Sequence, residues 1–201
     1  MKTIAVAFTG ASGLIYGLRL LRALLAADCR IWLLYSRAAQ IVAHEELDLA
    51  LPAQPRAAER LLRDHLGEER GALTVFGRED WHAPLASGSS PPDGMVVCPC
   101  SMGTLARLAS GLADDLIGRA ADVALKERRP LIVVPRETPL SLVHLQNMLR
   151  LARAGAIILP PAPGFYHRPT TIDELVDFVV GRILDQLAIA HTLTARWGRC
   201  P

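Results

Sequence analysis

Thr3-Ile4-Ala5-Val6-Ala7-Phe8-Thr9-Gly10-Ala11-Ser12-Gly13, running on into Leu14-Ile15-Tyr16-Gly17-Leu18-Arg19-Leu20-Leu21, decides the fold. Ile4 to Phe8 are apolar with no helical period, which predicts a strand buried on both faces. Small and hydroxylated residues follow, after which Leu14, Leu18, Leu21 and Leu25 recur at helical spacing. A strand, a tight turn and a helix leave the first helical amides without partners, a ready place for an anion. Gly10 lets a ligand approach the backbone, and Ser12 can cap the helix or hold a phosphate. A phosphate-bearing ligand is therefore expected, although a small-residue turn that only packs helix on sheet would read the same. The dinucleotide fingerprint asks for Gly at 10, 12 and 15, where this chain has Gly10, Ser12 and Ile15. No Lys stands nearby to complete a Walker loop.

The same grammar repeats along the chain. Strands are expected at Cys29–Tyr35, Leu73–Phe76, Met95–Cys98, Leu131–Val134 and Ala156–Leu159. Helical spacing runs from Ala38 to Leu49, Arg56 to Leu66, the Thr104 region to Leu112, Ala113 to Arg128, Pro139 to Leu151 and Ile172 to Leu187. Strands alternating with helices predict an α/β fold over residues 1–201: a single-domain, doubly wound, Rossmann-like parallel sheet of the flavoprotein kind, with helices on both faces. In such sheets ligands bind at the carboxyl ends of the strands. Ser101-Met102-Gly103-Thr104 follows its strand as the first turn does, so both turns should open on one rim. Ser36-Arg37 stands where an NAD enzyme usually carries an acidic residue, which leaves NADP or flavin mononucleotide open. Arg136-Glu137 leaves the fifth strand at that rim, and the stiff turn Pro160–Tyr166 presents Tyr166.

Composition narrows the function further. The 201 residues are 51% hydrophobic and 21% charged, with a net charge of +2, which argues against a nucleic-acid surface. Cys29, Cys98, Cys100 and Cys200 lack CxxC spacing and read as reduced thiols of a cytoplasmic protein. No apolar run has spanning length and no leader is evident, so no membrane association is expected. The six histidines show no metal-ligand pairing, so no metal is expected. Of 22 basic residues only Lys2 and Lys126 are lysines, which singles out Lys126 as a site for a compact ammonium. Arg119 and Lys126 lie two turns apart on one helix face. Cations, hydroxyls and helix N-termini gathered at strand ends favour phosphate.

Five stretches carry a resemblance: Thr9–Gly13, Cys98–Leu105, Arg119–Leu131, Val134–Pro139 and Pro163–Tyr166, together with Asn147-Met148. In this order they resemble the flavin prenyltransferases of the UbiX family, and the likeness spans nearly the whole chain. The resemblance implies transfer of a dimethylallyl group from dimethylallyl monophosphate to reduced FMN, at N5 and C6. The product, prenylated FMN, would serve a companion decarboxylase, as in ubiquinone biosynthesis. It further implies that Gly10, Ala11, Ser12, Ser36, Ser101, Met102, Gly103, Thr104 and Arg136 hold FMN. Lys126, Tyr166 and Arg182 would grip the donor phosphate with Arg119 nearby, and Trp197 and Trp81 would line the pocket. Glu137 would pass a proton to the departing phosphate, and Glu46 would take the C6 proton. The family forms large homo-oligomers, a dodecamer here, with the site at subunit junctions. Met102 stands where the family often has a hydroxyl. Two further readings share the architecture: an FMN-dependent decarboxylase of the phosphopantothenoylcysteine type, and a non-catalytic flavin carrier. The first needs an Asn-containing turn in place of Ser101–Thr104 and a catalytic His that has no evident counterpart.

Overall fold

A computed structural model describes residues 1–194. Its six strands are β1 (Thr3–Phe8), β2 (Arg30–Tyr35), β3 (Ala72–Val75), β4 (Gly94–Cys100), β5 (Leu131–Pro135) and β6 (Ile157–Ile158). They form one parallel sheet in the order β3-β2-β1-β4-β5-β6. The chain reverses its winding between β1 and β4, and a crevice opens there at the strand C-termini.

Helices cover both faces because the strands are apolar on both. One core joins Ile4, Val6 and Phe8 of β1 to α1 (Leu14–Ala26), α3 (Pro55–Leu66) and α7 (Ile172–Gln186). The other joins Ala5 and Ala7 to Leu105 and Leu108 of α4 (Met102–Ala109) and to Leu116, Ile117 and Ala120 of α5 (Leu116–Lys126). The two remaining helices are α2 (Arg37–Leu47) and α6 (Leu142–Arg153), and a single 3₁₀ turn stands at Pro84–Ala86.

Several boundaries differ from the sequence reading for local reasons. The second helix ends at Leu47, two residues before the apolar spacing does, because Asp48 after it adopts a left-handed conformation (φ 50°). β4 runs through Pro99 to Cys100 with a shift in register after Val97, so the turn that follows starts only at Ser101. α5 begins at Leu116 and not at Ala113, since Asp115 is its N-cap and accepts the Gly118 amide at 2.9 Å. α6 begins at Leu142 and not at Pro139, because Ser141 and His144 form a reciprocal capping box. The last strand shrinks to Ile157–Ile158 at the sheet edge.

Candidate flavin-binding rim

Two strand-to-helix turns meet at the crevice and are tied together by one buried side chain. Thr9, 1% exposed, donates its hydroxyl to the Pro99 carbonyl at 2.9 Å and accepts the Ser101 amide at 2.8 Å. Ser101 is the N-cap of α4: its Oγ accepts the Thr104 amide at 3.3 Å and lies 3.1 Å from Thr104 Oγ1. Across the crevice Ser36 caps α2, its Oγ accepting the Ala39 amide at 3.1 Å. A serine that accepts from an amide keeps an O–H to donate. The first amides of α4 and α2 therefore stand beside hydroxyls suited to phosphate.

Between them lies a cavity of about 250 Å³ bounded by Gly10, Ser36, Ala38, Arg78, Ser101, Gly103, Thr104, Arg107, Leu108 and Asp115, among others. Gly10 is required by its surroundings: a Cβ there would lie 2.3 Å from the Ala38 Cβ. Gly103 faces open space, with nothing within 4 Å of where its Cβ would be. This cradle fits a flat phosphorylated ligand, with small residues on the walls and donors at two helix starts. Arg136 follows β5 and its amide donates to the Cys100 carbonyl at 3.2 Å, one residue before Ser101, but it is not among the residues that border the cavity.

The α1 turn behaves otherwise than the sequence suggested. Ser12 does not cap α1; the N-cap is Gly13 at φ 103°, with no side-chain cap bond. The anion at this N-terminus is the protein's own Glu46, whose carboxylate accepts the Gly13 amide at 2.9 Å and the Leu14 amide at 3.1 Å. Glu46 thus arrives beside Ser12 from the end of α2, four residues before Ala50 and well separated in sequence from the turn it serves. Glu137 is exposed at the β5 exit and accepts the Thr138 amide at 3.1 Å.

The expected donor-binding residues do not join this cavity within one chain. Arg119 lies on α5, donating to the Ala86 carbonyl at 2.9 Å and to Asp122 at 2.7 Å. Lys126 ends the same helix against Glu127, roughly 15 Å from the rim where Asp115 starts it. Tyr166 and Arg182 belong to the α7 side, on the opposite sheet face, with Arg182 held by Asp185 at 2.9 Å. A single protomer therefore cannot close Lys126 and Arg182 on one phosphate. Trp81 is 47% exposed and does not line the cavity. Trp197 lies outside the described residues.

Arg78 and Asp115 were not picked out from the sequence. Arg78 lies three residues past β3 and binds Asp115 at 3.0 Å while bordering both the rim cavity and a neighbouring cleft with Tyr35, Arg37 and Gln40. Its signal was available: a strand-exit position on the same edge as Ser36 and Ser101. Burial pushes the Cys98 and Cys100 thiols far above their ordinary range, so neither is a nucleophile at neutral pH.

The fold and the rim define a flavoprotein, and residues 1–184 match the Flavoprotein family. The chain is 55% identical to the flavin prenyltransferase UbiX of Pseudomonas aeruginosa over 197 residues, 98% of this chain and 94% of that one. A crystal structure of AnUbiX (PadA1) in complex with FMN and dimethylallyl pyrophosphate superposes with a TM-score of 0.87 at 42% identity, covering 100% of this chain and 99% of the other. A dodecameric FMN-dependent UbiX-like decarboxylase from Escherichia coli superposes with a TM-score of 0.86 at 41% identity, covering 97% and 98%. The chain belongs to the UbiX flavin prenyltransferase family.

Proposed function

We propose that this protein, a single flavin-binding domain over residues 1–201, joins a dimethylallyl group from dimethylallyl monophosphate to reduced FMN. The observation that carries this reading is the rim built by Gly10, Ser36, Ser101, Gly103 and Thr104, with two capped helix starts around one cavity. Reduced FMN would supply the nucleophilic N5 and the C6 carbon at which the new ring closes.

Each step asks something definite of the chain's own residues. The α4 turn and Ser36 would hold the flavin phosphate through O–H and N–H donors, with Arg136 alongside. Phosphate leaves readily only when its charge is neutralised, and Lys126, Arg182 and Arg119 are the cations for that. Tyr166 would add a hydroxyl donor, with Glu137 as the group that passes a proton to the departing phosphate. Glu46, with its carboxylate held at the α1 N-terminus, would accept the proton released from C6.

Self-association completes the arrangement. Lys126 and Arg182 lie on opposite sheet faces, so a shared phosphate needs one from each of two copies. The exposed apolar side chains Leu142, Leu145 and Leu149 line one face of α6 and suit burial against another protomer. A dodecamer agrees with the Escherichia coli relative. Free, buried Cys29, Cys98 and Cys100 suit a reducing cytoplasm. No helix among the described residues is long and apolar enough to cross a membrane. A companion decarboxylase would receive the product.

Anaerobic incubation with reduced FMN and dimethylallyl monophosphate, followed by mass spectrometry of the released flavin, tests the reading. A gain of one prenyl unit is expected. An unaltered flavin, or carbon dioxide released from a carboxylated thiol compound instead, overturns it.

A further inference from the structure

The turn that carries Tyr166 packs against the ring of Phe178. Phe178, half-buried in the middle of α7, meets Tyr166 edge-on with centroids 5.7 Å apart, at 77°. It stacks parallel to His167 at 5.6 Å and 2°. Gly164 presses on it from the same turn: a Cβ there would lie 2.9 Å from Phe178 Cζ and 3.1 Å from Tyr166 Cε1. The backbone hydrogen bonds of the turn are local, from Ala162 to Pro160 and from Arg168 to Phe165. Both ring nitrogens of His167 are buried without a hydrogen-bond partner, so stacking and not hydrogen bonding holds that ring. Four residues beyond Phe178, on the same face of α7, stands Arg182.

We propose that Phe178 is a positioning residue for donor binding: it sets the Tyr166 turn in register with Arg182, so that hydroxyl and guanidinium address one phosphate. This rests on the reading of Tyr166 and Arg182 as donor ligands. Phe178 itself need not touch the donor. Its edge and face fix where the turn sits on α7, and the helix fixes Arg182 relative to that point. His167 takes part through its flat shape, so a phenyl ring in its place keeps the seat.

Steady-state kinetics of the full-length protein test this, with dimethylallyl monophosphate varied at saturating reduced FMN. Phe178→Leu is expected to raise the donor KM about tenfold, with a smaller change in kcat and an unchanged FMN dissociation constant. Gly164→Ala, which crowds the same ring from the turn, is expected to do the same, and His167→Phe to leave the donor KM within about twofold. Phe178→Leu should add little further once Tyr166→Phe is present, because both act on one contact. If Tyr166→Phe and Arg182→Ala raise the donor KM while Phe178→Leu and Gly164→Ala fold, bind FMN and keep the parental value, the positioning role is wrong. If Tyr166→Phe and Arg182→Ala leave the donor KM unchanged, the ligand assignment beneath it is wrong, and the register proposal goes with it. A rise in donor KM for His167→Phe equal to that of Phe178→Leu overturns the stacking account.

Discussion

Thr9 and Ser101 are separated by 92 positions, yet the hydroxyl of the first accepts the amide proton of the second at 2.8 Å. That bond locks the two rim turns in register across the β1–β4 crevice. Thr9→Val keeps the shape of the side chain and leaves both the Ser101 amide and the Pro99 carbonyl without this partner. Unfolding free energy should fall by about 1–3 kcal/mol, with weaker FMN binding on fluorescence titration. Parental stability and affinity would show that the lock carries no weight.

Gly10 is read by its neighbour Ala38. Gly10→Ala places a methyl group 2.3 Å from the Ala38 Cβ, and overpacking of this kind costs about 1–3 kcal/mol. FMN affinity should drop along with the melting temperature. Adding Ala38→Gly should restore both, and failure of that rescue would move the cause elsewhere.

Glu46→Gln separates the structural task of this residue from its proposed chemical one. The amide oxygen of Gln still accepts from Gly13 and Leu14, so folding and FMN affinity should stay close to parental. Loss of the carboxylate base should slow product formation by about 10²–10⁴-fold. A variant that turns over at the parental rate would exclude Glu46 as the base.

Glu174 caps α7 by accepting from the Thr171 amide at 3.1 Å and from the Thr170 backbone, and these bonds hold its carboxyl below the usual carboxylate range. A depressed folded-state value stabilises the protein above the unfolded value and is lost as pH falls through the folded one. Wild type should therefore melt above Glu174→Gln at pH 7, with the gap closing as acid titrates the carboxyl. A gap that persists unchanged to pH 3 would contradict the linkage.

Leu145 and Leu149 share an exposed face of α6 one helical turn apart. The pair Leu145→Glu and Leu149→Glu should lower the assembly mass measured by light scattering and raise the donor KM, since the proposed donor site takes Lys126 and Arg182 from two protomers. A variant that keeps the parental mass would place the interface on another surface.

Order of elements, parallel sheet and rim position were legible in the chain because they follow from local patterns. Ile4–Phe8 has no helical period, small residues follow it, and an amphipathic helix comes next; short-range sterics and burial suffice to read that. Caps decided the boundaries that periodicity misjudged, as at Asp115 and Ser141, where one side chain sets the first turn regardless of the apolar spacing around it. Ser36, Ser101 and Gly103 border one cavity because strand exits of a parallel sheet share an edge.

The sequence by itself determined which residues form strands and helices and which of them end at a common edge, since both depend on neighbours a few positions away. Only the tertiary structure decided that Glu46 occupies the α1 N-terminus, that Arg78 borders the cavity, and that Lys126 and Arg182 lie on opposite faces of the sheet. Those outcomes depend on how helices dock in three dimensions. Contacts between residues tens of positions apart leave no periodic trace in the chain, and the packing of both sheet faces must be complete before they exist.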